Sequence, residues 1–459
     1  MTFFDLGRRP LSRALRFAGA LACCAGALAF QVQQAAAQEI RLLRDTETER
    51  LLKSYEDPLA KADGLDPSAV RIYLVDDPTV NSFVAEGQNV FIQTGMIMYA
   101  KTPNELIGVL AHETGHIKGG HLSRDSSAIS KASVPMILSM IAGIAAMAVG
   151  AGQAGMAILM AGQQVAEAQF NAFSRVQEAT ADQIAVKSLN ATHQSAEGML
   201  QVFQRFAAEE AMSAYHPDQF ALDHPAGQDR VALLESLVDA SPYKDVKDSP
   251  EATHAYLMVQ AKLAGYILPA KEVFNRYPLS DRSEPARYAR AMVYSRVPDL
   301  QKALAETNSL IRDEPNNPYF YEVLGQIYVN MAKPELALAP FQKSVDLLPN
   351  APQLHVGLAA AQLATEQPDL ARAALVNLKA ASRYENDDPF TWYETAQAYS
   401  DLDNQPMADL STAEQMYAAG VYPEAARFAR KAQHGLAQGS SDWERANDIM
   451  AVATVSQKR

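Results

Sequence analysis

Three alanines, Ala303, Ala337 and Ala371, stand 34 residues apart, and Pro315 precedes Pro349 by the same interval. A fixed period of that length constrains the fold strongly. A single helix pair cannot bury its own apolar face, so repeated pairs must stack into a solenoid. The small residue is needed where the two helices of a pair cross closely, and the proline ends the second helix because it cannot continue the hydrogen-bond ladder.

In phase with that period lie Tyr321, Leu324, Gly325, Tyr328 and Phe341, the aromatic and small positions of the tetratricopeptide pattern. Trp392 and Tyr399 start a further unit, and Tyr422-Pro423-Glu424 opens the second helix of a last one. A plain helical bundle also carries alanines, but not at one period with aromatics and a terminal proline in step. Residues 251–459 are therefore expected to form an all-α tetratricopeptide-repeat solenoid, whose concave face binds peptides or proteins and does no chemistry itself. Residues 38–250 mix short β-type runs with helices. They are expected to form a mostly helical α+β domain with a small β-sheet.

The chemistry lies in that first part. Thr102-Pro103-Asn104-Glu105 reads as a helix start: threonine caps, proline occupies the first turn and Glu105 closes a capping box. Gly119-Gly120 provides the stop. Between them His112 and His116 are four residues apart and share a face, so two imidazoles can hold one zinc ion. Glu113 is turned by about 100° around the helix. It borders the same cleft without easily ligating the same ion, which suits a general base acting on a water beside the metal.

His121 comes nine residues after His112, one short of the spacing that a third histidine ligand of the HExxHxxGxxH type requires. Its expected role is structural or supporting. The better third ligand lies on a second helix, Ser174–Ala185, where Glu178 and Asp182 share a face. Glu178 supplies the carboxylate ligand, and Asp182 accepts a hydrogen bond from a ligating histidine and fixes its tautomer. The expected cofactor is one Zn2+ per chain.

Arg8, Arg9, Arg13 and Arg16 precede the apolar run Phe17–Phe30, and Ala35-Ala36-Ala37 offers a cleavage site, so residues 1–37 read as a cleaved export signal. The run is short for a membrane anchor, which needs about 20 residues. Both cysteines, Cys23 and Cys24, lie within that signal, so the mature chain is expected to use neither disulfide nor thiol chemistry. The net charge of −13 disfavours nucleic acid as a partner. An apolar insert at 133–165 contains Val134–Gly150 and Gly155–Ala161. It is expected to be a helical lid beside the cleft, or alternatively a hairpin making peripheral membrane contact.

His112-Glu113-Thr114-Gly115-His116 followed by Glu178-Ala179-Thr180-Ala181-Asp182 resembles the gluzincin group that includes the CaaX prenyl endoprotease and HtpX. Asn81–Gly95 is similar to that family's segment before the zinc helix, N-A-F-A-x-P-G-G, from which Glu86 and Gln88 depart. The resemblance implies that Asn89, Val90, Phe91, Ile92 and Gln93 form an edge strand beside the metal that binds an extended substrate by strand addition. Asp223-His224-Pro225 with Arg230 resembles the family's H-P-x-x-x-x-R segment, whereas His216-Pro217 has no arginine at that spacing. It implies that His224 can approach the metal as an additional ligand and hold the enzyme shut, or stabilise an oxyanion once swung away. Arg230 would orient the substrate or neutralise the oxyanion.

With an export signal in front and repeats behind, the chain resembles the periplasmic BepA-like branch of this family. That resemblance implies a periplasmic zinc endopeptidase for quality control of outer-membrane β-barrel proteins. Unfolded or stalled barrel proteins, and the barrel-assembly machinery reached through the repeats, are the implied partners. The alternative is a chaperone or scaffold acting mainly through its repeats. A membrane-embedded prenyl protease would need several long spans that the sequence lacks.

Overall fold

The computed structural model describes residues 41–85, 87–121, 160, 174–212, 224, 227–297 and 299–456. The signal at 1–37 and, apart from Met160, the apolar insert at 133–165 lie outside them. Among the described residues no helix is long and apolar enough to cross a membrane.

The first part is built from α1 (Thr46–Ala62), β1 (Arg71–Val75), β2 (Ser82–Ala85), β3 (Asn89–Gln93), α2 (Thr94–Tyr99) and α3 (Pro103–Gly119). Next come α4 (residues 174–191), α5 (Glu197–Met212) and α6 (Gln228–Asp239). The strands form one sheet in the order β1-β3-β2, with β1 parallel and β2 antiparallel to β3.

That order corrects one expectation. Asn89–Gln93 is the central strand, not an edge: Val90 pairs with Ile72 on one side and Val84 on the other. Its backbone is engaged on both sides and cannot take up a further strand. The physical reason is the arrival of β1, whose Arg71–Val75 pairs along the side of β3 that the β2–β3 pair alone would leave open. The outer side of β1 is bridged near Val75 by Leu42. The edge that lies against α3 is β2.

Helix α3 starts and stops as its caps dictate. Thr102 accepts from the Glu105 amide at 3.2 Å, and Gly120 closes the helix at φ 64°, a conformation that favours glycine. The Glu105 carboxylate differs from a plain capping box. It accepts from the Lys101 amide at 2.6 Å and takes a forked contact from Arg205 at 2.8 and 2.7 Å, which pins α3 to α5. Gly115 lets α4 come close, since a Cβ there would lie 2.5 Å from the Ala181 carbonyl oxygen.

Glu56 on α1 is fully buried against α3. Its oxygens lie 2.9 and 3.0 Å from Thr114 Oγ1, which is also 2.7 Å from the Leu110 carbonyl. Threonine has one proton, so the chain of contacts closes best with a neutral Glu56 donating to Thr114 and Thr114 donating to Leu110. Burial raises the Glu56 carboxyl to about 8, against the opposing effects of Thr114 and Lys53. A carboxyl whose folded pKa lies above its unfolded value costs stability as pH rises from the unfolded value through the folded one. Glu56→Gln is therefore expected to flatten urea-denaturation stability between pH 5 and 9, where the native protein loses on the order of 3 kcal/mol. A loss of equal size in both proteins would refute the assignment.

Helix α7 (Pro250–Ile267) completes this core rather than standing outside it. Tyr256, Val259 and Leu263 join the same buried cluster as Leu106 and Phe203. Tyr256 Oη lies 2.7 and 3.0 Å from the Ile97 and Ala100 carbonyl oxygens and donates its one proton there, and Gln260 Nε2 donates to both at 2.8 Å, satisfying the end of α2. Buried Lys262 pairs with Asp45, and lies 3.5 Å from Glu47 and 3.4 Å from Glu322. Further on, Arg71 of β1 pairs with Asp387 and Arg44 with Glu385.

Beyond α7 the chain is a helical repeat. Helices Glu284–Arg296, Pro318–Asn330 and Pro352–Leu363 begin at 34-residue intervals, as do Leu300–Asp313, Pro334–Leu347 and Pro368–Ser382. Ala303, Ala337 and Ala371 are all buried. Gly325 is needed for close crossing, because a Cβ there would sit 2.6 Å from the Phe341 ring.

Candidate metal centre

Four side chains from three places in the chain converge. Helix α3 supplies His112 and His116, α4 supplies Glu178, and the segment before α6 supplies His224. His112 Nε2 lies 3.1 Å from His116 Nε2 and 3.2 Å from His224 Nδ1. The Glu178 oxygens lie 3.3 Å from His112 Nε2, 3.3 Å from His116 Nε2 and 3.1 Å from His224 Nδ1.

Hydrogen bonds alone explain this poorly. Each imidazole nitrogen offers one proton or one lone pair, and three of them cannot all be satisfied facing one another. Four nitrogen or oxygen ligands held at about 2.0 to 2.1 Å around a tetrahedral ion stand about 3.3 Å apart. The spacing of the cluster therefore fits a small divalent cation, and the donor set is one that zinc accepts.

The surrounding charges suit that task. Asp182 Oδ1 lies 2.9 Å from His112 Nδ1, which leaves Nε2 of that ring facing the centre. Burial works against charge on His112, but the Asp182 and Glu178 carboxylates outweigh it and raise the imidazole to about 9. Burial, His112 and His224 push His116 down, against the pull of Glu178. Asp182 is lowered to about 2, because Arg230 and His112 outweigh the effect of burial. Burial likewise opposes ionisation of Glu178, yet His224, His112 and His116 hold it well below the carboxylate range. A bound cation would take the place of the proton that this field draws onto His112.

Glu113 is fully buried on the same helix. Its Oε1 accepts from Ser82 Oγ at 2.7 Å, and its Oε2 has no hydrogen-bond partner among the described residues. His121, which spacing separates from the ligands, places Nδ1 3.1 Å from His116 Nδ1, on the ring edge away from the centre.

Arg230 differs from the substrate-facing role that resemblance implies. Its Nε and Nη2 fork onto Asp182 at 2.7 and 2.8 Å, and Nη1 lies 2.9 Å from Glu178. Nη1 also meets the His224 carbonyl at 3.2 Å, and the guanidinium sits over the Phe203 ring at 4.6 Å. The guanidinium is thus turned inward to brace the carboxylates. Sequence reasoning passed over Ser82 altogether, since a serine at a strand start carries no local signal. Asn89–Gln93 runs behind β2 in the sheet and does not reach the site as an edge.

Two histidines on one helix, a carboxylate from the next and a buried glutamate beside the first histidine define a metallohydrolase centre. Residues 46–238 match the model of peptidase family M48, and that match together with the site supports a metalloprotease. The beta-barrel assembly-enhancing protease of Escherichia coli K12 is 23% identical over 378 residues, covering 80% of this chain and 75% of its own length. That of Yersinia pestis is 25% identical, covering 71% and 67%. A Vibrio cholerae protein given the same name provisionally is 27% identical over 266 residues, and the match spans 53% of its length.

Proposed function

We propose that the chain is an exported zinc endopeptidase of the cell envelope that removes or assists outer-membrane β-barrel proteins and rests with its site closed. The observation that carries the chemistry is the convergence of His112, His116, Glu178 and His224 beside Glu113. The substrate class follows the names that the relatives carry, and the periplasm follows the sequence of residues 1–37.

A zinc ion held by His112, His116 and Glu178 would supply Lewis-acid polarisation of the scissile carbonyl and acidify a nearby water. Glu113 Oε2 receives the proton of the attacking water and returns it to the leaving amine. Asp182, braced by Arg230, holds His112 in the ligating tautomer. Strand β2, the sheet edge against α3, is where an extended peptide would add. The helical repeat, read as tetratricopeptide units, offers a second surface for the same client.

His224 stands close enough to His112 and Glu178 that it would also hold a bound cation, which favours a resting enzyme that holds clients without cutting them. That same contact supports the alternative of a chaperone or scaffold in which proteolysis is secondary. His224→Ala is expected to raise cleavage of an unstructured peptide several-fold, and unchanged or lower activity would remove the gating role. Elemental analysis should find one zinc per chain, with casein digestion lost on chelation and restored by zinc. A protein purified without zinc and unable to take it up would end the central reading.

A further inference from the structure

Ser82 opens the edge strand β2, is fully buried and donates to Glu113 Oε1 at 2.7 Å. The other oxygen of that carboxylate is buried and has no hydrogen-bond partner among the described residues. His224 Nε2 lies 3.8 Å from Oε1, beyond hydrogen-bond reach.

We propose that Ser82 is a positioning residue that ties the Glu113 carboxylate to the substrate-binding edge of the sheet. The inference rests on reading Glu113 as the proton carrier. A glutamate carboxylate turns freely about its last torsion, where the preference is broad. An untethered carboxylate would spread over several orientations, and only some of them hold an oxygen where it can take a proton from a water in the site. The Ser82 hydroxyl occupies Oε1 and leaves Oε2 as the free oxygen. Ser82 pairs with Ile92 in the sheet. When β2 shifts to take up a peptide, the hydroxyl and the carboxylate move with it, so proton carrier and peptide stay in one register.

The test compares the full-length native protein with Ser82→Ala and Ser82→Thr on an unstructured fluorogenic peptide, together with metal content and crystal structures of all three. A hydrogen bond to a charged group is worth about 1.5–3 kcal/mol, so Ser82→Ala should lower kcat about tenfold or more. KM and zinc content should stay as in the native protein, and the Glu113 carboxylate should leave its place beside β2. Ser82→Thr keeps the hydroxyl and should recover most of kcat. Native kcat in the alanine variant, equal loss in both variants, or an unmoved Glu113 in the alanine crystal structure would overturn the proposal. If Glu113→Gln cleaves as well as the native protein, the proton-carrier reading is what fails. The position of Glu113 in the Ser82→Ala crystal then still decides what the hydroxyl does.

Discussion

Glu113→Gln will abolish peptide-bond cleavage while leaving the metal in place. The substitution is isosteric, and its amide oxygen can still accept from Ser82, so the buried packing around α3 survives. What it removes is the one basic oxygen in the site with no hydrogen-bond partner among the described residues. General-base removal costs about 10²–10⁴ in rate, and the expected fall in kcat lies near the top of that range because no second carboxylate is free to substitute. Asp182 is occupied by Arg230 and His112, and Glu178 by the ligand cluster. The check is cleavage of casein and of a short peptide, with zinc content and thermal melting measured on the same preparation. Activity above a few per cent with native zinc content would mean that the proton travels by another route. The same variant separates the two functional readings in a deletion strain: full restoration of outer-membrane assembly would make proteolysis secondary.

Legibility from sequence followed the distance over which each feature is encoded. His112, Glu113 and His116 lie within one helix whose caps, Thr102 and Gly120, are local, and so do Glu178 and Asp182 within α4. Intervals of four residues put side chains on one face whatever the rest of the fold does. The 34-residue helix spacing was readable for the same reason, since buried alanines and closing prolines recur in phase.

Strand order is different. Strands β2 and β3 pair antiparallel, and which of them becomes the edge depends on β1, whose arrival beside β3 is a parallel, non-local pairing. Residues 251–459 are expected to form the repeat domain, and within them Tyr256 and Gln260 of α7 also pack into the core around α2. Arg230 carried a motif but not its direction. An arginine this buried must point at carboxylates, and only the assembled site shows that Asp182 and Glu178 are the ones within reach.

Arg230→Ala therefore carries the second large effect, and its pattern distinguishes the brace from a substrate contact. The guanidinium is nine-tenths buried and forks onto Asp182 while touching Glu178 at 2.9 Å. Removing it leaves two carboxylates enclosed without their cation, and breaking a buried pair of this kind costs about 3–5 kcal/mol. Asp182 would also lose the partner that aims it at His112, and loss of such support costs about 10–100-fold in metal affinity. The expected result is a lower melting temperature and weaker zinc retention against a chelator, with KM for peptide unchanged in the zinc-saturated protein. Lysine cannot fork onto Asp182 and reach Glu178 at once, so Arg230→Lys should recover only part of the loss. Pairing Arg230→Ala with Asp182→Asn removes one stranded charge and should regain stability without regaining metal affinity, because asparagine cannot supply the negative charge that favours the ligating tautomer of His112. A raised KM with native stability and zinc binding would instead return Arg230 to the substrate.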